Sequence, residues 1–133
     1  EKLKNLSYGC SNICWTGMLD SKDMWTALRL ADALILPSHQ ENYGMVVAEA
    51  CSVGKPVLLT NKVNLWREIE STCAGMVAED NAEGISKMLN AWDEGRIQGT
   101  EKSALRCFRD HLHVKNAASR LIDVVQGASL KVP

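Results

Sequence analysis

Apolar positions in this chain switch between two spacings, and the switches mark out its elements. Residues 33–36, Ala-Leu-Ile-Leu, form an unbroken apolar run stopped by Pro37 and Ser38. Such a run, lacking polar alternation, predicts a strand buried on both faces and central in a parallel sheet. Before it, Met24, Ala27, Leu28 and Ala31 recur at helical spacing and predict a helix over 22–31. A short strand over 12–16, ending at Gly17, precedes that helix. After the polar loop 38–42, a helix is expected over 44–52, stopped at Gly54, with Pro56 opening a strand over 57–59. A short helix near 65–69 leads to a weaker strand over 75–78. A helix over 82–92 follows, with Ile85, Met88, Leu89 and Trp92 on one face.

Four strands alternating with helices predict a parallel α/β layer, Rossmann-like, with helices on both faces and right-handed crossovers. Ligands of such sheets sit beyond the C-terminal ends of the strands. That rule selects four loops, 17–21, 37–43, 61–64 and 79–81. Residues 101–126 carry no strand signal, and two helical segments, around 105–108 and 117–125, are expected to pack outside the sheet. Leu3 and Leu6, three apart, read as the tail of an amphipathic helix.

Composition narrows the function classes. The chain has 133 residues, enough for one domain and too few for two. Fifteen basic residues against 16 acidic ones, a net charge of -1 with no long block of either sign, give no footprint for nucleic acid or an anionic membrane. Five cysteines without a CxxC pair fit reduced thiols in cytosol. No apolar stretch approaches the roughly 20 residues of a membrane helix, and no signal-peptide core is present at the N-terminus.

The densest polar loop is Pro37-Ser-His-Gln-Glu-Asn-Tyr-Gly44, between the most apolar strand and a helix. Unpaired N–H groups and the dipole at that helix start favour an anion. Gly44 permits close approach, so a diphosphate is expected at the amides of Tyr43, Gly44, Met45 and Val46. Glu41 and Glu49 flank this position with seven residues between them. Both would repel a phosphate, so they are better read as hydroxyl acceptors at opposite ends of the ligand, one on a hexose and one on a ribose. A nucleotide sugar has that layout.

These residues carry a family resemblance. Pro37-Ser38, Glu41-Asn-Tyr-Gly-Met-Val-Val-Ala-Glu49-Ala and Gly54-Lys-Pro-Val57 resemble the E-x7-E segment of family 4 (group 1) retaining glycosyltransferases. The likeness runs from Trp15-Thr16-Gly17 and Ala31-Asp32-Ala33 through 61–64 and Glu68-Ile69 to 74–77, covering about residues 12–92. It implies a GT-B enzyme with two Rossmann-like domains, the donor held mainly by the second and no metal or other cofactor required. Residues 1–133 would be part of that C-terminal nucleotide-sugar-binding domain, with the N-terminal acceptor domain and the first strand region absent. The carry-over makes Glu41 the catalytic-site carboxylate on the donor sugar and Glu49 the ribose ligand. The backbone of Asn42, Tyr43, Gly44, Met45 and Val46 would hold the diphosphate. It implies transfer of a hexose with retention to a glycan, lipid or small-molecule acceptor, by front-face attack in which Glu41 is not a nucleophile.

The departures set a second expectation. The family's Arg and Lys on the leaving diphosphate, and the Gly-rich loop and catalytic His of its first domain, have no counterpart here. Because stabilising the leaving group is usually the largest catalytic term, the isolated chain is expected to bind its donor weakly and not to turn it over. A non-catalytic nucleotide-sugar-binding or interaction module is the alternative. A sugar-nucleotide epimerase and a receiver-like domain fit less well, the latter lacking an acidic cluster at its first strand. His39 reads as a surface or loop-bracing residue, while His111, His113, Cys10 and Cys14 have no partners at metal-ligand spacing. Trp25 and Trp92 read as packing residues, and Trp66 as a helix anchor or cleft wall. Met18, Met24, Met45, Met76 and Met88 read as core filler. An uncovered apolar cleft wall, which a homodimer would cover, is a further expectation.

Overall fold

A computed structural model describes residues 2–96 and 101–129. After a short helix α1 (Lys2–Leu6) the chain runs α2 (Ser21–Leu30), β1 (Leu34–Leu36), α3 (Met45–Ser52), β2 (Val57–Thr60), α4 (Trp66–Thr72), β3 (Gly75–Ala78) and α5 (Ala82–Asp93). Helix α6 (Glu101–Cys107), a π-helical segment (Phe108–Leu112) and α7 (Val114–Ser129) complete the described residues. The strands form one parallel sheet in the order β1-β2-β3, with Leu34 opposite Val57 and Val57 opposite Gly75.

All of β2 is buried. Its side chains alternate between two apolar layers, as the pleat requires. Val57 and Leu59 pack with Val47 and Cys51 of α3, Ile69 of α4 and Ala104 of α6. Leu58 packs on the other face with Ala78 and with Ile85, Met88 and Trp92 of α5. This is the α/β layer with helices on both faces that the alternating pattern predicts. Helix α2 starts at Asp20, whose carboxylate accepts the Asp23 amide at 2.8 Å, and α5 starts at Asn81, whose side chain accepts the Gly84 amide at 2.8 Å. Gly54, at φ 76°, reverses the chain after α3, where its amide and that of Lys55 close onto Cys51 and Ala50.

Several expectations fail for physical reasons. Residues 12–16 form no strand. They are exposed, no described segment offers them a ladder partner, and Trp15 instead donates its indole N–H to Ser7 Oγ at 3.0 Å. In consequence β1 is an edge strand of the described sheet rather than a central one, and Ile35 is 41% exposed because the α5 layer stops short of it. Met18 and Met45 are not core filler, being 101% and 63% exposed, whereas Met88 is fully buried. The end of α6 widens into a π turn closed by the His113 amide on the Phe108 carbonyl at 2.8 Å, which periodicity alone cannot signal. Uncovered apolar side chains concentrate on α7, where Val114, Leu121, Ile122 and Val124 are each more than half exposed. Among the described residues no helix is long and apolar enough to cross a membrane.

Two close approaches make testable demands. Gly75 lies so near β2 that a Cβ there would meet the Val57 carbonyl oxygen at 1.8 Å, whereas a Cβ at Gly127 on α7 meets nothing. Gly75→Ala is expected to cost about 2–4 kcal/mol, and Gly127→Ala to stabilise by roughly 0.5–1 kcal/mol, in denaturant titrations. Cys51 and Cys107 are fully buried where α3 meets α6. The hydrogen bond that the Cys51 thiol donates to Cys107, with burial, holds Cys51 far above its ordinary range. Cys10, Cys14 and Cys73 are exposed. A thiol reagent should therefore label these three rapidly and the other two only on unfolding; fast labelling of all five would contradict the packing.

Candidate functional site

Three loops meet at the C-terminal edge of the sheet, and the one after β1 is tied to both others. Thr60, the buried last residue of β2, donates its hydroxyl to the Ser38 carbonyl. Glu41 pairs in a parallel bridge with Val63. Its amide donates to the Lys62 carbonyl at 3.2 Å, and its carbonyl accepts from Asn64 at 3.1 Å. On the opposite side His39 Nδ1 lies 2.7 Å from Asp80 Oδ1, at the start of α5. The loop-bracing role expected of His39 is what the geometry shows.

The turn into α3 depends on Gly44. At φ 67° it adopts the left-handed conformation that a side chain disfavours. A Cβ here would also press on Glu41 Cγ and Val47 Cγ2, both at 3.3 Å. The Gly44 amide donates to Glu41 Oε1 at 3.3 Å, so Glu41 folds back over the start of its own helix. That contact occupies one of the four amides expected to receive an anion. The first-turn amides of Met45 and Val46 have no side-chain cap, since Gly44 has none to offer.

Glu49 sits on α3 between the buried residues Ala48 and Ala50 and is itself half-buried. Among the described residues its carboxylate has neither an ion-pair nor a hydrogen-bond partner. It opens into a cavity of about 530 Å³ walled by Trp25, Tyr43, Met45, Phe108 and Leu112. Tyr43 closes one end, its hydroxyl donating to the Leu112 carbonyl at 3.4 Å. Of the predicted residues, Glu41 and Gly44 are thus in direct contact, and Tyr43, Met45 and Glu49 share one cavity. Asn42 is exposed, Val46 is half-buried, and neither lines it.

Sequence reasoning placed Trp25 in the core, and it does pack there, yet it also forms a wall of the cavity. Phe108, Leu112 and His113 reach the cavity from far along the chain. No spacing in the sequence joins them to Glu49; a π turn that packs against α3 brings them there. Asp80 was likewise missed. Its one signal was membership of the 79–81 loop at the same sheet edge. Trp66 does not line this cavity; it packs against the core under the Arg67 guanidinium, 4.4 Å from its ring centre, as a helix anchor. No group of three or more metal-ligating side chains occurs among the described residues.

Comparison with known proteins supplies the family. Residues 1–104 match the family described as glycosyl transferases group 1. An uncharacterized 41.2 kDa protein from the cps region of Klebsiella pneumoniae is 30% identical over 99 residues, 73% of this chain and 27% of that protein. Glycogen synthase of Mycobacterium tuberculosis is 40% identical over 47 residues, 35% of this chain and 11% of that protein. Sucrose-phosphate synthase from Thermosynechococcus elongatus shares the fold, with a TM-score of 0.76 and 15% identity over 98% of this chain and 34% of that one. The chain spans about a quarter of the length of the Klebsiella relative. The parallel α/β layer is of the GT-B, Rossmann-like kind, and with the family match extending over most of its length the chain belongs to the group 1 glycosyltransferases.

Proposed function

We propose that this chain is the donor-binding part of a retaining hexosyltransferase, holding a nucleotide diphosphate sugar along the β1–α3 loop and the outer face of α3. The observation that carries the reading is Glu49, an unpartnered carboxylate at the wall of an aromatic-lined cavity of about 530 Å³. A carboxylate on such a wall accepts two hydroxyls of a ribose, while a base finds flat apolar surface at Trp25, Tyr43 and Phe108. The diphosphate then lies against the uncapped amides of Met45 and Val46. The hexose reaches Glu41, whose Oε1 is engaged by the Gly44 amide and whose Oε2 accepts a sugar hydroxyl.

The mechanism that follows is electrostatic positioning rather than covalent catalysis. Glu41, held from behind by its own helix start, orients the hexose but does not attack it. The acceptor approaches on the face the diphosphate leaves, so configuration is retained, and the leaving diphosphate takes up the acceptor proton. No arginine or lysine lies on the β1–α3 loop or the first turn of α3 to neutralise that charge. Donor binding without turnover is therefore the expected behaviour of these 133 residues. The acceptor, a glycan, lipid or small molecule, belongs to the longer protein, which we place in the cytoplasm, where nucleotide sugars and reduced thiols coexist.

Amide NMR titration with UDP, GDP, ADP and their glucose or mannose conjugates tests this. Saturable shifts over residues 41–49 with one nucleotide, and affinity weakened about tenfold or more in Glu49→Ala, are expected from loss of charge-assisted hydrogen bonds. Absence of shifts with every donor, or equal affinity in Glu49→Ala, would overturn the assignment. Sugar transfer or donor hydrolysis by the pure chain would overturn the expectation of binding without turnover.

A further inference from the structure

The loop that carries Glu41 is tied to the β2 side by three hydrogen bonds, from Thr60 to Ser38, from Glu41 to Lys62 and from Asn64 to Glu41. On the α5 side the described residues show one polar tie, His39 Nδ1 to Asp80 Oδ1 at 2.7 Å. It is the one ion pair among them that joins residues more than four apart in sequence. Asp80 is well placed to hold its position. Its side chain is 17% exposed, and it precedes Asn81, which is locked by its cap on the Gly84 amide and by its own amide on the Glu79 carbonyl at 2.8 Å. His39, by contrast, is 89% exposed, so packing does not fix the imidazole and the bond to Asp80 does.

We propose that His39 is a positioning residue: through Asp80 it pins the outer side of the β1–α3 loop to the start of α5 and so sets where the Glu41 carboxylate sits. An Nδ1–H donates to the carboxylate whether or not Nε2 carries a proton, so the clamp persists in both states of the ring. Without it the loop loses its α5-side anchor and is held by its β2-side bonds and the Tyr43 hydroxyl on the Leu112 carbonyl, so that its outer side pivots and the fold-back of Glu41 onto the Gly44 amide loosens. The clamp stands on contacts of the chain itself. Its consequence for sugar binding rests on the reading of Glu41 as the hexose ligand.

Amide hydrogen exchange without ligand tests the clamp. In His39→Ala the Glu41 and Gly44 amides are expected to exchange about fivefold faster, in keeping with a largely exposed charge-assisted bond, while the amides of Leu58 and Leu59 keep their rates. Asp80→Ala should do the same, and the double variant should add little to either single one. His39→Asn offers an N–H near the Nδ1 position and should restore slow exchange. Unchanged rates in both alanine variants, or no rescue by asparagine, would overturn the clamp. A donor titration adds the second arm. His39→Ala should weaken a nucleotide hexose more than the same nucleoside diphosphate, and equal weakening would overturn the link to the hexose end. Should no nucleotide bind the unaltered chain, the donor reading fails while the exchange rates still decide the clamp.

Discussion

Burial of β2 on both faces is the constraint from which the rest of the structure follows. Four residues with no solvent-facing side can be satisfied only by a strand on each edge and a helical layer on each face. Parallel pairing then requires each connection to cross the sheet through a helix, and it leaves all the strand ends pointing one way. The three loops at that edge are neighbours because β2 lies between the other strands. Thr60, the buried last residue of β2, turns this adjacency into a bond by holding the Ser38 carbonyl.

The same geometry explains why two glutamates eight positions apart behave differently. Glu41 precedes the helix and has a backbone amide within reach, so it is partly satisfied by its own chain. Glu49 lies along the helix, where every nearby amide is already committed to the helical ladder, and among the described residues no cationic side chain pairs with it. A half-buried carboxylate without a partner is costly unless water or a ligand serves it. The arrangement therefore places the more demanding group where the cavity is, and the more contented one at the loop that must stay shaped.

What could be read from the sequence tracks how local each feature is. The apolar runs 57–59 and 75–78, the stop at Gly54 and the periodicity of 82–92 are local, and the structure keeps all of them within a few residues. The E-x7-E spacing is local too, and with Gly44 it marked the loop and helix that carry the candidate site. The strand expected at 12–16 failed because pairing is not local: a strand pattern without a neighbour remains an exposed segment. Ile35 failed for the same reason, since its run is as apolar as that of β2 but only the inner faces of Leu34 and Leu36 meet the core. The cavity wall lay furthest from view. Phe108 and Leu112 reach Glu49 through a π turn, which no period in the sequence announces.

Helix α3 serves two partners at once, and this shapes what the site tolerates. Its inner face, Val47, Ala48, Ala50 and Cys51, is packed without exposed surface beyond a few per cent. Its outer face carries Met45 and Glu49 toward the cavity. With Cys51 pressed against Cys107 of α6, and α6 running directly into the π turn that supplies Phe108 and Leu112, the two walls of the cavity share one interface. A change of volume at Cys51 or Cys107 must then move Glu49 relative to the opposite wall, because a close-packed interior passes displacement on rather than absorbing it. Core and site are in that sense one object: the small buried thiols at the α3–α6 contact set the width of the cleft into which Glu49 opens.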